Sequence, residues 1–243
     1  MLQSHTARSL SITSTLADRQ SGRIPNSRFQ IVYSEFRFRY CAQIMLVLGS
    51  ASPRRAELLR QLGVEFVVCA SDVPEEALPN EDGVTFALRL ARGKAKAVAR
   101  VRPGSWVLGA DTVVLLDGEI LGKPVDAEDA RNMLRRLSGR GHRVVTGFAL
   151  VAPLGDVAHD EAVESRVEFR SLGEAEIDAY VTSGESLDKA GAYGIQGGAS
   201  AFVERVSGSY SNVVGLPLEE VRRVLEGRGL LAERGGRGDG RRG

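Results

Sequence analysis

Four stretches of this chain hold side chains that could bind phosphate or move a proton. The first is Gly49-Ser50-Ala51-Ser52-Pro53-Arg54-Arg55. An apolar run ends there, small residues turn the chain, and Ser52-Pro53 opens a helix with two arginines in its first turn. Free N–H groups and a partial positive charge suit an anion at a helix start, and cations there oppose the dipole unless something anionic compensates. A capped surface helix with solvated arginines has the same pattern, and no GxxxxGK[ST] loop occurs anywhere in the chain. The second stretch is Gly109-Ala110-Asp111-Thr112, where Asp111 is expected to end the buried run Trp106–Ala110. Open α/β sheets place ligands beyond the carboxyl ends of strands, although an isolated aspartate is more commonly a turn or cap residue.

The third set is dispersed: Glu75 and Glu76, Lys94, Glu119, and the lysine of Gly122-Lys123-Pro124. Each alone reads as a surface charge. Together they would supply what phosphoryl chemistry needs, carboxylates for a divalent cation and cations for phosphate oxygens. The fourth is Asp188–Gly198, with glycines at 191, 194, 197 and 198. These interrupt it too often for a helix or a central strand and let backbone approach a ligand, with Tyr193 as a stacking ring and Gln196 as an amide. Lys189, Tyr193 and Gln196 make a poor flexible spacer.

The elements that must carry these residues alternate between strand and helix. Strands are expected at Met45–Gly49, Phe66–Ala70, Trp106–Ala110, Val113–Leu116, Glu119–Leu121, Arg143–Val151, Glu164–Phe169, Ala201–Val206 and Val213-Val214. Helices are expected from Pro53 to Gly63, over Phe86–Val101, from Asp126 to Leu137, from a Ser171–Glu174 capping box to Thr182, and from Pro217 to Gly227. Asp117-Gly118 reads as a hairpin turn. Several hairpins among helices predict an α/β fold with a mixed sheet.

The chain has 243 residues and a formal net charge of +1, so no global field recruits nucleic acid or a membrane surface. No apolar run approaches the roughly 20 residues of a membrane span. Cys41 and Cys69 lack metal or disulfide spacing, and His5, His142 and His159 are too scattered for a metal cluster. A reducing, cytoplasmic setting fits. Residues 1–44 are rich in Ser and Arg and poor in acids. They read as a disordered extension or as a translation start placed too early, with Met45 a natural start; an organelle transit peptide has a similar composition. Residues 45–231 form the expected domain, and 232–243 read as a disordered Gly/Arg tail, a weak signal for RNA contact.

The stretches Leu48-Gly-Ser-Ala-Ser-Pro-Arg-Arg, Gly109-Ala-Asp-Thr, Leu121-Gly-Lys-Pro, Leu137-Ser-Gly-Arg-Gly-His, Asp188-Lys-Ala-Gly-Ala-Tyr-Gly-Ile-Gln-Gly and Gly208-Ser-Tyr-Ser-Asn-Val-Val-Gly-Leu-Pro, taken in order, closely resemble the Maf family of nucleoside triphosphate pyrophosphatases. The resemblance spans roughly Met45 to Leu230. It implies a two-lobed mixed α/β fold with a central cleft, similar to that of inosine triphosphate pyrophosphatases, and often a homodimer. It also implies hydrolysis between the α and β phosphates with Mg²⁺ or Mn²⁺. On this resemblance Asp111 is the proton acceptor, and Ser50, Arg55, Glu75, Lys94 and Lys123 are further active-site residues, with Asp111 and Glu75 toward the metal. Arg54, Thr112 and Gln196 match specificity positions, and the motifs are those of the branch acting on dTTP and UTP. The rival readings are the sister 7-methyl-GTP specificity and a nucleotide-binding regulator of cell division and septum formation without turnover. A Nudix hydrolase is disfavoured because no REx₂EE-like helix occurs.

Overall fold

A computed structural model describes residues 45–231. The expectations for residues 1–44 and 232–243 therefore lie outside the described residues. Seven strands form one mixed sheet in the order β2-β1-β3-β5-β6-β7, with β4 paired to β3. They are β1 (Leu46–Leu48), β2 (Phe66–Val68), β3 (Trp106–Leu116), β4 (Glu119–Leu121), β5 (Gly141–Val151), β6 (Val157–Phe169) and β7 (Val203–Ser207). β1 runs parallel to β2 and β3, and the other pairings are antiparallel, as the hairpin-rich sequence predicts.

Among the described residues six α-helices accompany the sheet: α1 (Pro53–Arg60), α2 (Gly83–Val101), α3 (Ala127–Leu137), α4 (Glu174–Thr182), α5 (Tyr210–Val214) and α6 (Leu218–Gly227). α2 covers one face of the sheet, where its Ala91, Ala95 and Val98 pack on Val47, Val107, Ala149 and Val151. Farther along, Phe86, Ala87 and Leu90 meet Val113, Leu115 and Val145. The opposite face carries the larger core, in which Leu59 of α1, Leu134 of α3, Ile177 of α4 and Leu225 of α6 meet Leu108, Ala110, Phe148 and Leu150. No described helix is long and apolar enough to cross a membrane.

Several expectations are corrected by local chemistry. Trp106–Ala110 and Val113–Leu116 are one continuous strand, so Asp111 lies within β3 rather than at its end. Continuous pairing with β5 from Val107 to Leu115 carries the polar Asp111 and Thr112 through. Val213-Val214 is helical: the Ser209 hydroxyl accepts the Asn212 N–H and caps α5, overriding the strand preference of two valines. α2 starts at Gly83, three residues before the expected Phe86, because Asp82 accepts the N–H groups of Val84 and Thr85. α4 is capped at Gly173 rather than Ser171, with Glu176 accepting the Gly173 N–H. β6 begins at Val157, ahead of the expected Glu164. The Asp117-Gly118 turn stands as predicted, both residues at positive φ (55° and 88°).

Candidate active site

β1 pairs with β3 only over Trp106–Leu108, and β4 pairs with the same edge only over Val114–Leu116. Between them, among the described residues, no strand lies along Gly109–Val113. The sheet therefore has a notch beyond the carboxyl end of β1, and the loop Gly49–Ser52 that leads into α1 borders it, with Gly49 N–H donating to the Leu108 carbonyl at 2.8 Å. Ligands of α/β sheets gather at such strand ends. Asp111 and Thr112 sit on β3 at this notch.

Because side chains alternate across a strand, these neighbours point to opposite faces. Asp111 faces α2, in line with Gly109 and Val113. Its approach to the helix depends on two glycines. A Cβ on Gly109 would lie 2.5 Å from the Ala91 carbonyl oxygen and 2.7 Å from Ala95 N. A Cβ on Gly147, which pairs with Asp111 across β5, would lie 2.6 Å from the Ala87 backbone. Ala87, Ala91 and Ala95 recur every four residues and present one small-residue stripe to those glycines. The close seat brings Lys94, only 7% exposed, onto the strand.

Buried that deeply, an ammonium must be paired. Lys94 Nζ donates to Asp111 Oδ1 at 2.6 Å and to Glu75 Oε1 at 2.5 Å, and Lys123 Nζ donates to Glu75 Oε2 at 2.6 Å. Asp111, Lys94, Glu75 and Lys123 thus form one alternating ionic chain. Glu75, rather than the adjacent Glu76, makes these contacts. Burial pushes the Glu75 carboxyl up, but hydrogen bonds from Lys123 and Lys94 outweigh it and hold the group at about 2. Among the described residues no cluster of three or more His, Cys, Asp or Glu could by itself hold a metal ion.

On the other face, Ser52 caps α1 and Pro53 opens it, as the sequence predicts. This aims Arg55 at Thr112. Arg55 donates from Nε to the Gly215 carbonyl at 2.8 Å, from Nη1 to Ser50 Oγ at 3.2 Å and from Nη2 to Thr112 Oγ1 at 3.0 Å. Burial holds its guanidinium below the ordinary arginine range, and Asp111 partly offsets that. Ser50 is buried beside it.

Arg54 turns toward the glycine-rich loop, where a Cβ on Gly194 would lie 3.0 Å from its Nη1. Gln196 is exposed on the turn that follows Ile195. Tyr193 departs from its expected stacking role. It is buried, edge-on to Phe169 and His142, and its hydroxyl lies 2.7 Å from His142 Nε2. Burial pushes its phenol pKa up. Tyr193 anchors the loop and cannot stack on a base. Glu119 pairs with Arg136 away from this cluster.

Thr146 and the Gly215 carbonyl belong to the site but carried no role in the sequence. Thr146 is hidden in an apolar strand, and a main-chain oxygen has no residue signature. The ordered ionic chain and the Arg55 cradle sit on residues 45–228, and a Maf-like protein family model matches the same span. The chain belongs to the Maf family. A Geobacter sulfurreducens protein named dTTP/UTP pyrophosphatase is 56% identical to this Maf chain over 186 residues, covering 76% of it and 97% of the relative. An Anaeromyxobacter dehalogenans protein of the same name is 55% identical over 188 residues, covering 76% and 94%. Among solved structures, the Staphylococcus aureus Ham1 protein aligns with 76% of the Maf chain and 99% of its own at 16% identity, with a TM-score of 0.43.

Proposed function

We propose that this Maf protein is a nucleoside triphosphate pyrophosphatase that hydrolyses dTTP and UTP to the monophosphate and pyrophosphate. The observation that carries the reading is the ionic chain Asp111–Lys94–Glu75–Lys123 beside the Arg55 cradle. The names of relatives at 55–56% identity support the same activity and bases.

In this mechanism Lys94 fixes Asp111 through Oδ1, which leaves Oδ2 to orient a water and take its proton. The water oxygen bonds to the α phosphorus, the bond from that phosphorus to the α–β bridging oxygen breaks, and the electron pair leaves on pyrophosphate. Arg55 and Lys123 offer donors to the developing charge. Gln196 can meet the carbonyl–imide–carbonyl edge of uracil or thymine with both a donor and an acceptor, and Arg54 lies against the same loop.

Asp111 and Glu75 are the residues that would hold Mg²⁺ or Mn²⁺. Both carboxylates are tied to Lys94, and Glu75 also to Lys123, so a hard cation arriving with the nucleotide's phosphate oxygens would bind them by taking over from these ammonium groups. When bound, it would neutralise phosphate charge. A cytoplasmic setting is part of the proposal, and so is a homodimer, as the resemblance to the Maf family implies. The test is pyrophosphate release from dTTP, UTP, CTP, purine triphosphates and 7-methyl-GTP, with and without Mg²⁺ or Mn²⁺. Metal-dependent release confined to dTTP and UTP supports the reading. Preference for 7-methyl-GTP removes the base assignment, and binding without release leaves a nucleotide-sensing regulator.

A further inference from the structure

Three hydrogen bonds join the Arg55 guanidinium to the interior of the sheet. Arg55 Nη2 donates to Thr112 Oγ1 at 3.0 Å, Thr112 Oγ1 meets Thr146 Oγ1 at 2.9 Å, and Thr146 Oγ1 donates to the Asn212 carbonyl at 2.9 Å. The two ends dictate the direction of every proton, because a guanidinium only donates and a carbonyl only accepts. Thr146 spends its single proton on Asn212, so the proton between the two threonines belongs to Thr112. Thr112 then has none left to give, and it can meet a nucleotide only as an acceptor.

The far end of this wire is well anchored. Thr146 is fully buried and stands directly opposite Thr112 in the β3–β5 pairing. Asn212 is also fully buried, and its Nδ2 donates to the Val144 carbonyl and to Ser165 Oγ. At the near end, Nε and one hydrogen on each terminal nitrogen of Arg55 are committed. A guanidinium has five N–H donors, so one remains on each terminal nitrogen, the two-pronged arrangement that matches phosphate oxygens.

We propose that Thr146 is a positioning residue for phosphate binding: through Thr112 it holds the Arg55 fork in the orientation the substrate needs. This rests on the pyrophosphatase reading of the site, which it deepens.

The experiment pairs calorimetric titration of inorganic pyrophosphate into the full chain with pyrophosphate release from dTTP, UTP and CTP. Thr146→Val is nearly isosteric and removes the acceptor for the Thr112 proton. It is expected to weaken pyrophosphate binding about tenfold and to lower kcat/KM for dTTP and UTP by the same factor. The ratio among the three nucleotides stays that of the unaltered protein, and Thr146→Ser returns both quantities to within about twofold. Unchanged pyrophosphate affinity in Thr146→Val, a changed nucleotide ratio, or failure of Thr146→Ser to rescue would each overturn the proposal. Should Thr146→Val not fold, Thr112→Val breaks the same wire one bond nearer the arginine. It must show the same loss of pyrophosphate affinity, and unchanged affinity overturns the proposal. If the unaltered protein releases no pyrophosphate while Thr146→Val still weakens pyrophosphate binding, the pyrophosphatase reading fails and the positioning role stands.

Discussion

Replacing Gly109 by alanine sets a methyl group against the backbone of α2. The added Cβ would lie 2.5 Å from the Ala91 carbonyl oxygen and 2.7 Å from Ala95 N, where ordinary contact begins at 3.4 Å. About 0.9 Å of separation must be found. Backbone atoms cannot swing aside as a side-chain tip can, so helix and strand must part. Lys94 stands between Ala91 and Ala95 on that helix, and the same displacement stretches its 2.6 Å contact with Asp111 to about 3.5 Å, where a hydrogen bond is all but lost. Overpacking of this kind costs ~1–3 kcal/mol, or a Tm lower by about 2–12 °C for a body of this size. A misplacement near 1 Å at reacting groups costs ~10²-fold in rate. Thermal melting and pyrophosphate release from dTTP measure the two effects. Gly227→Ala, whose Cβ would have nothing within 4 Å, serves as the control. A Gly109→Ala protein with unaltered Tm and kcat would refute the close seating of α2. A lowered Tm with an unaltered rate would show that the Lys94–Asp111 contact is not needed for turnover.

Asp111→Asn keeps volume and removes the proton acceptor, so release should fall by ~10²–10⁴, and retention of more than about a tenth of the rate would contradict its role. Gln196→Ala should lower kcat/KM for dTTP about ten- to a hundredfold while barely changing slow purine turnover; equal slowing of every nucleotide would remove the base-reading role. His142 is 2% exposed, and burial lowers its imidazole from 6.5 to about 4. The folded state thus binds its proton less readily than the unfolded chain. Its contribution is whole above pH 6.5, is lost as pH falls from 6.5 to about 4, and at ~1.4 kcal/mol per pH unit totals roughly 3 kcal/mol. Urea midpoints measured from pH 7 to 4 should show that slope, and His142→Gln, which still meets the Tyr193 hydroxyl, should flatten it.

The helix starts that bear on the site were legible where a local signal was strong. Ser52-Pro53 and Asp126 act on their own neighbours, and the structure caps α1 and α3 with them. Asp117-Gly118 fixed the hairpin for the same reason. Local signals failed where pairing across the sheet decided the outcome. Polar Asp111 and Thr112 looked like a strand end, yet β5 runs past them on the far side. Tyr193 looked available in a glycine-rich loop because its burial against His142 and Phe169 comes from residues 24 and 51 positions earlier. Asp111, Glu75, Lys94 and Lys123 lie far apart in the sequence, and no spacing rule separates them from Glu76 and Glu119; the folded sheet is what brings the four into contact.

β3 acts as a partition wall with one tenant on each side. Asp111 and Lys94 lie on one side of it and Thr112 and Arg55 on the other, although the two strand residues are adjacent in the chain. A change of side chain at 112 can therefore retune the arginine without disturbing the acid. Deleting a single residue between Trp106 and Asp111 does the opposite, since every later side chain changes sides and the two tenants exchange addresses. The wall cannot absorb such a slip at its far end, because Leu116 pairs with Glu119 across a two-residue turn that has no slack to give. Point changes should thus be graded in their effect on this strand, while a one-residue deletion should be all or nothing.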